Sequence, residues 1–158
     1  MPILETRTQH WPDEAACATS AGRLARHAAL ADAFIELHGP LGAGKTTFVR
    51  HLLRALGING HVKSPTYAVM EPYQLVRDGA VAHIWHFDFY RFNDPQEWED
   101  AGFRDVFASR GLKLAEWPEK ADGLLPEADL RLHIEPGEGD ARNARFEART
   151  HRGVELLA

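Results

Sequence analysis

The stretch HGPLGAGKTTF, residues 38–48, sets three glycines, a proline, a lysine and two threonines between two apolar patterns. Gly39, Gly44, Lys45 and Thr46 fit the spacing G-x-x-x-x-G-K-[ST]. Each position has a physical task. Glycines without Cβ reach unusual dihedrals and let backbone N–H groups approach an anion. A helix starting near Lys45 adds its first amides and a partial positive charge. Lys45 can reach the outer phosphates of a nucleotide, and the Thr46 hydroxyl can ligate Mg²⁺. Chance alone would produce the four fixed positions in about 0.5% of chains of this length. Read otherwise, the stretch is a glycine-rich connector with a solvated lysine.

The flanks agree with a phosphate cradle. AFIELH, 33–38, is a short apolar run suited to a buried strand. KTTFVRHLLRALG, 45–57, is helical in pattern, with Phe48, Val49, Leu52, Leu53 and Leu56 on one face and Gly57 as its stop. Upstream, residues 2–8 predict a strand. Residues 11–30 then predict a helix with Pro12 in its first turn and Ala15, Ala18, Leu24 and Ala28 facing inward. Downstream, Asp78-Gly79 marks a hairpin between 66–76 and 80–90. Residues 94–103 predict a short helix and 111–117 a strand. Two alternating stretches, 128–136 and 144–150, predict a second hairpin across GEGD. The arginine-rich stretch around it, DARNARFEARTHRG, reads as a solvated edge. The order predicts a three-layer α/β domain whose mainly parallel central sheet gains antiparallel additions.

A phosphate loop binds; hydrolysis also needs carboxylates for metal and water. Asp88 ends the apolar run HIWHFD and Glu116 ends LKLAE. In a parallel sheet both ends would gather at the loop. Which acid orients water stays open at this level. KSPTY, 63–67, offers Thr66 in a stiff turn that could sense a phosphate or simply enter a strand. Trp98 and Trp117 read as packing residues. Trp117 would point away from Glu116 if the strand stays regular. His83 and His86 read as structural or solvated.

The 158 residues suggest one domain, 1–158. Net charge is −5, which argues against a protein that grips nucleic acid alone. The single cysteine, Cys17, reads as a small apolar residue in a reduced, cytoplasmic protein. No run approaches a membrane span, and the N-terminal stretch lacks the basic start and apolar core of a signal peptide.

GPLGAGKTTFVR, VKSPTYAV, HFDFYR, DPQEWEDAGF and LAEWPE, in this order over about residues 33–134, resemble the TsaE family, formerly YjeE. These are P-loop ATPases of tRNA threonylcarbamoyladenosine biosynthesis. The resemblance implies ATP and Mg²⁺ as cofactors, and TsaD and TsaB as partners that attach threonylcarbamoyl to an adenosine beside the anticodon. The tRNA would be contacted indirectly, through that complex. It implies nucleotide contacts at Gly39, Leu41, Gly42, Ala43, Gly44, Lys45, Thr46 and Thr47, with Trp117 nearby. Thr46, Asp88 and Glu116 would complete the metal and water site. Thr66 would belong to a switch-like loop, and Glu5 and Thr6 to a segment approaching the base. Phe89, Trp98 and Ala115 depart from the family's usual residues without removing a chemical group.

Two rivals share the loop. A small-molecule or nucleoside kinase needs an acceptor site and an arginine-bearing lid, and no glycine-hinged lid is evident. A binding module without hydrolysis would differ only in the geometry of its acids.

Overall fold

The computed structural model describes residues 2–62, 65 and 69–158. Thr66 therefore lies outside the described residues. The strands are β1 (Glu5–Trp11), β2 (Phe34–His38), β3 (Met70–Arg77), β4 (Ala80–Asp88), β5 (Leu112–Glu116), β6 (Leu130–Pro136) and β7 (Arg142–Ala148). The helices are α1 (Glu14–Ala25), α2 (Lys45–Leu56), α3 (Pro95–Ala101), α4 (Phe103–Ala108) and α5 (His151–Leu156). The strands form one sheet in the order β1-β7-β6-β2-β5-β4-β3. Its centre is parallel, with β2 pairing β5 and β6, and β5 pairing β4. The β3–β4, β6–β7 and β1–β7 pairs are antiparallel. This is the predicted parallel core with antiparallel additions.

Local chemistry explains the elements. At the β3–β4 turn Asp78 and Gly79 both take positive φ, 51° and 78°. That pair of values is what a two-residue hairpin with right-handed strand twist requires. Helix α2 buries Phe48, Val49, Leu52, Leu53 and Leu56, the face read from its period, and Gly57 closes it at φ 102°. Each such side chain stabilises the fold by about 1.5–3 kcal/mol. They pack with Ile35, Leu37, Leu114 and Leu132 on one side of the sheet. On the other side Phe34, Phe87, Phe89, Trp98 and Phe103 form a second, aromatic-rich core under α3 and α4. Trp98 is a packing residue, as its sequence context suggests.

Several expectations shift. The first strand starts at Glu5 and runs to Trp11. Pro12 precedes α1 rather than opening it: Asp13 is the N-cap, and its carboxylate accepts from the Ala16 amide at 3.0 Å. The inward stripe of α1 is Cys17, Ser20, Ala21 and Leu24, while Ala15 and Ala28 are exposed. Alanine occupies both faces of this helix, so its hydrophobic pattern barely distinguishes them. Strand β7 is no solvated edge; it lies between β6 and β1. Helices α4 and α5, six residues each, had no predicted counterpart.

The buried Cys17 has a measurable consequence. Burial, then the Glu14 carboxylate, pushes its thiol up from 9.0 to about 11. A raised folded value stabilises the fold while the thiol stays protonated. That contribution is whole below the unfolded value of about 9 and is lost as pH climbs toward about 11. Urea midpoints should therefore fall more steeply with alkalinity in the native chain than in Cys17→Ala. The difference in slope should amount to about 2 kcal/mol across that window. Parallel pH profiles of the two proteins would refute the assignment.

Candidate phosphate-binding site

The turn from β2 into α2 occupies the carboxyl end of the parallel strands, where an α/β sheet leaves a crevice. Gly39, Gly42 and Gly44 take φ of 149°, 76° and 110°. At Gly39 the need for glycine is also steric: a Cβ would stand 2.3 Å from the Ile134 carbonyl oxygen. Gly44 is the N-cap of α2, so the helix's first amides open toward the turn. Leu41, at the outer bend, is 65% exposed.

Lys45 is 5% exposed. Its ammonium donates to the Gly39 carbonyl and sits 3.5 Å from the centre of the Trp117 ring. Burial lowers its pKa; Glu116, Glu119 and Asp88 pull the other way. The loop thus holds a cation that is short of solvation, bonded to a backbone carbonyl and with three carboxylates acting on it.

Thr46 donates to both carboxylate oxygens of Glu116 at 2.9 Å. Glu116 ends β5 beside Asp88, which ends β4 in register with it. The Asp88 carboxylate accepts from the Tyr90 amide at 3.0 Å, and its own amide bonds the Val69 carbonyl at 2.7 Å. Val69 and Trp117 hold φ of 63° and 55°, left-handed values costly for side chains of this size. Both flank the acids. The strained turn at Trp117 corrects the expectation that this ring faces away from Glu116. The strand stops at Glu116, and the ring folds back over Lys45, with Tyr90 5.0 Å from it.

A cavity of about 330 Å³ adjoins the loop and is lined by Trp11, Asp13, Ala43, Gly44, Thr47 and Arg142, among others. Trp11 is stacked on Phe48 at 5.8 Å. Glu5 and Thr6 are not brought here. Thr6 pairs Glu147 on β7, which pairs Arg131 on β6, which pairs Glu36 on β2. Three strand spacings put it about 14 Å across the sheet from β2. The far end of the same strand, Trp11, is the part that meets the loop.

Two residues at the site escaped the sequence reading. His86 is fully buried, and its Nε2 lies 2.6 Å from the Glu116 carboxylate, while Nδ1 is buried without a partner among the described residues. A buried orphan acceptor is easier to tolerate than an orphan N–H. This assigns the proton to Nε2, which donates to Glu116. His86 stands two residues before Asp88, so period-two alternation could have placed it on the acid's face. Arg142 reaches the loop from 99 residues away, donating from Nε to the Ala43 carbonyl at 2.8 Å. Nothing local in sequence announces that contact.

The donor set suits a nucleotide with a hard cation. A threonine hydroxyl and two carboxylates are oxygen ligands of the kind Mg²⁺ takes, together with phosphate oxygens and water. Among the described residues no three His, Cys, Asp or Glu side chains form a ready cage. A cation here would thus be shared with phosphate.

A glycine-rich loop between a parallel strand and a helix, with carboxylates at the ends of neighbouring strands, defines a P-loop NTPase fold. Comparisons with known proteins narrow the class. The family model described as threonylcarbamoyl adenosine biosynthesis protein TsaE matches residues 11–144. A Haemophilus influenzae protein named tRNA threonylcarbamoyladenosine biosynthesis protein TsaE is 40% identical over 98% of both chains. Its namesake in Bacillus subtilis is 38% identical over 72% of this chain and 68% of its own. The crystal structure of YdiB from the latter organism superposes with a TM-score of 0.77 at 26% identity, covering 99% of this chain and 95% of that one. The chain belongs to the TsaE family.

Proposed function

We propose that this protein binds ATP with Mg²⁺ at residues 39–47, hydrolyses it, and thereby serves the formation of threonylcarbamoyladenosine in tRNA. The observation that carries the reading is the convergence of Lys45, Thr46 and Glu116 at one turn. The family and the names of its relatives supply the process.

In this reading Lys45 leaves the Gly39 carbonyl for the outer phosphates, and the α2 amides hold the inner ones. Thr46, Glu116 and Asp88 would be the residues to hold the cation. Glu116, braced by His86, and Asp88 are the carboxylates placed to accept a proton from, and so orient, an attacking water. Mg²⁺, when bound, neutralises charge on the phosphates. Trp117 covers the Lys45 ammonium from water. The cavity beside Thr47 receives the ribose and base.

The reading includes TsaD and TsaB as partners, with tRNA held by them, and a cytoplasmic setting. A net charge of −5 suits an accessory subunit that leaves tRNA binding to its partners. No helix among the described residues is long and apolar enough to cross a membrane. The kinase alternative draws no support from the relatives, which share one biosynthetic name.

Phosphate release from ATP, measured for this protein alone, with purified TsaB and TsaD, and with nucleosides as candidate acceptors, tests the proposal. Release that rises with the partners and yields no phosphorylated nucleoside is expected. A phosphorylated acceptor, or no release in any mixture, would overturn it.

A further inference from the structure

Arg142 opens β7, paired with Trp11 on one side and Pro136 on the other. Its guanidinium spans two pieces of chain. On the loop it donates from Nε to the Ala43 carbonyl at 2.8 Å and from Nη2 to the Gly42 carbonyl at 3.3 Å. On its own hairpin it donates from Nη1 to the Ala141 carbonyl at 2.8 Å and the Gly139 carbonyl at 3.5 Å. A planar fork with donors on three nitrogens can bridge these carbonyls at once; an ammonium is a point charge.

The carbonyls it holds matter because a trans peptide points its C=O and the next N–H in opposite directions. Drawing the Gly42 and Ala43 carbonyls toward Arg142 turns the Ala43 and Gly44 amides to the other side. The Ala43 amide shows this, since it points across the turn to the Pro40 carbonyl at 3.1 Å. Gly44 is tied on its helix side by the Phe48 amide, which donates to its carbonyl at 2.9 Å, and neither Gly42 nor Gly44 has a side chain to pack. A Cβ at Gly42 would meet nothing within 4 Å, and one at Gly44 would meet only Arg142 itself, at 4.0 Å. Glycines so placed lose much conformational freedom when ordered. The start of the turn is fixed by packing of Gly39 on Ile134. In its far half the guanidinium holds the Gly42 and Ala43 carbonyls, beside the Phe48 amide on Gly44.

We propose that Arg142 is a positioning residue which pre-organises the phosphate-binding loop, making nucleotide affinity depend on the C-terminal hairpin. The proposal rests on the functional reading above for its ligand, but not for its effect on the empty loop. Pre-ordering a binding loop strengthens binding by lowering its ordering cost. Because Arg142 also lines the cavity beside Thr47, exchange in the ligand-free loop is the readout that separates this ordering from direct contact with the ligand. The predicted signature is a change in affinity, with turnover at saturation little altered.

The full-length protein, Arg142→Ala, Arg142→Lys and Lys45→Met are compared in three measurements. ADP and ATP binding are read by calorimetry. Amide hydrogen exchange at residues 42–45 is followed in ligand-free protein. KM and kcat are taken from phosphate release. Arg142→Ala should weaken both nucleotides about 10- to 50-fold, about the worth of a single charge-assisted hydrogen bond, since only the ordering part of its two loop contacts is felt in binding. KM should rise likewise while kcat stays within about threefold. Arg142→Lys should recover only part of the affinity, and exchange at 42–45 should quicken in both arginine variants. Native affinity in Arg142→Ala, full rescue by lysine or unchanged exchange would overturn the proposal. If the native protein bound nucleotide no better than Lys45→Met, the functional reading would fail instead. The exchange measurement, which needs no nucleotide, would still decide the role of Arg142.

Discussion

Lys45→Met is expected to reduce ATP affinity by about 100-fold or more while leaving the fold intact. Lys45 is 5% exposed, and its ammonium meets the Gly39 carbonyl and the Trp117 ring. Burial depresses its pKa despite three acids pulling upward. The sign of that shift matters. A lysine that binds its proton less firmly folded than unfolded costs stability at neutral pH, and the cost disappears only at alkaline pH. Methionine keeps the apolar stem against Trp117 and removes the charge. The thermal midpoint should therefore hold or rise as affinity falls. That opposition marks a charge kept for ligand and not for folding. Calorimetric titration with ATP and a thermal melt test it together. Affinity within threefold of native, or a melt lowered in step with affinity, would contradict the role given to Lys45.

Glu116→Gln is expected to lower the rate of phosphate release by about 100-fold or more, with ATP affinity changed less than about fivefold. Glu116 is 2% exposed, and its carboxylate lies between Thr46, at 2.9 Å, and His86, at 2.6 Å. Glutamine keeps its size and one acceptor oxygen, so the pocket should stay formed. The negative charge that would orient water and share the cation is lost. Because Lys45 and the loop amides remain, binding should survive. Single-turnover release against equilibrium binding separates the two effects. An equal loss of both would mean that Glu116 holds nucleotide rather than promoting its cleavage.

Particular elements show why some of this was readable from residues alone. The loop, β2 and α2 are contiguous, and their glycines, threonine and apolar period act on near neighbours. Asp88 and Glu116 were legible because each ends an apolar run, and parallel strands end together. Alternation could not place Trp117, because it holds only while a strand lasts and β5 stops at Glu116; the resemblance had set that residue near the nucleotide site. Thr6 was drawn toward the site by resemblance, whereas the strand order carries Trp11 there instead. Of the expected inward stripe of α1 only Leu24 is in the buried set, because the helix's alanines blur the period. His86 was within reach of a period-two argument that the reading left unused.

Sequence by itself determined the glycine-rich turn between strand and helix, the α/β layering and the placing of the two acids at strand ends, because these depend on short-range geometry and on which residues avoid water. Only the tertiary structure decided that Trp117 turns back over Lys45, that His86 braces Glu116, and that Arg142 grips the loop. Those contacts join residues dozens of positions apart. Strand order and a strained backbone create them, and neither leaves a periodic trace in the chain.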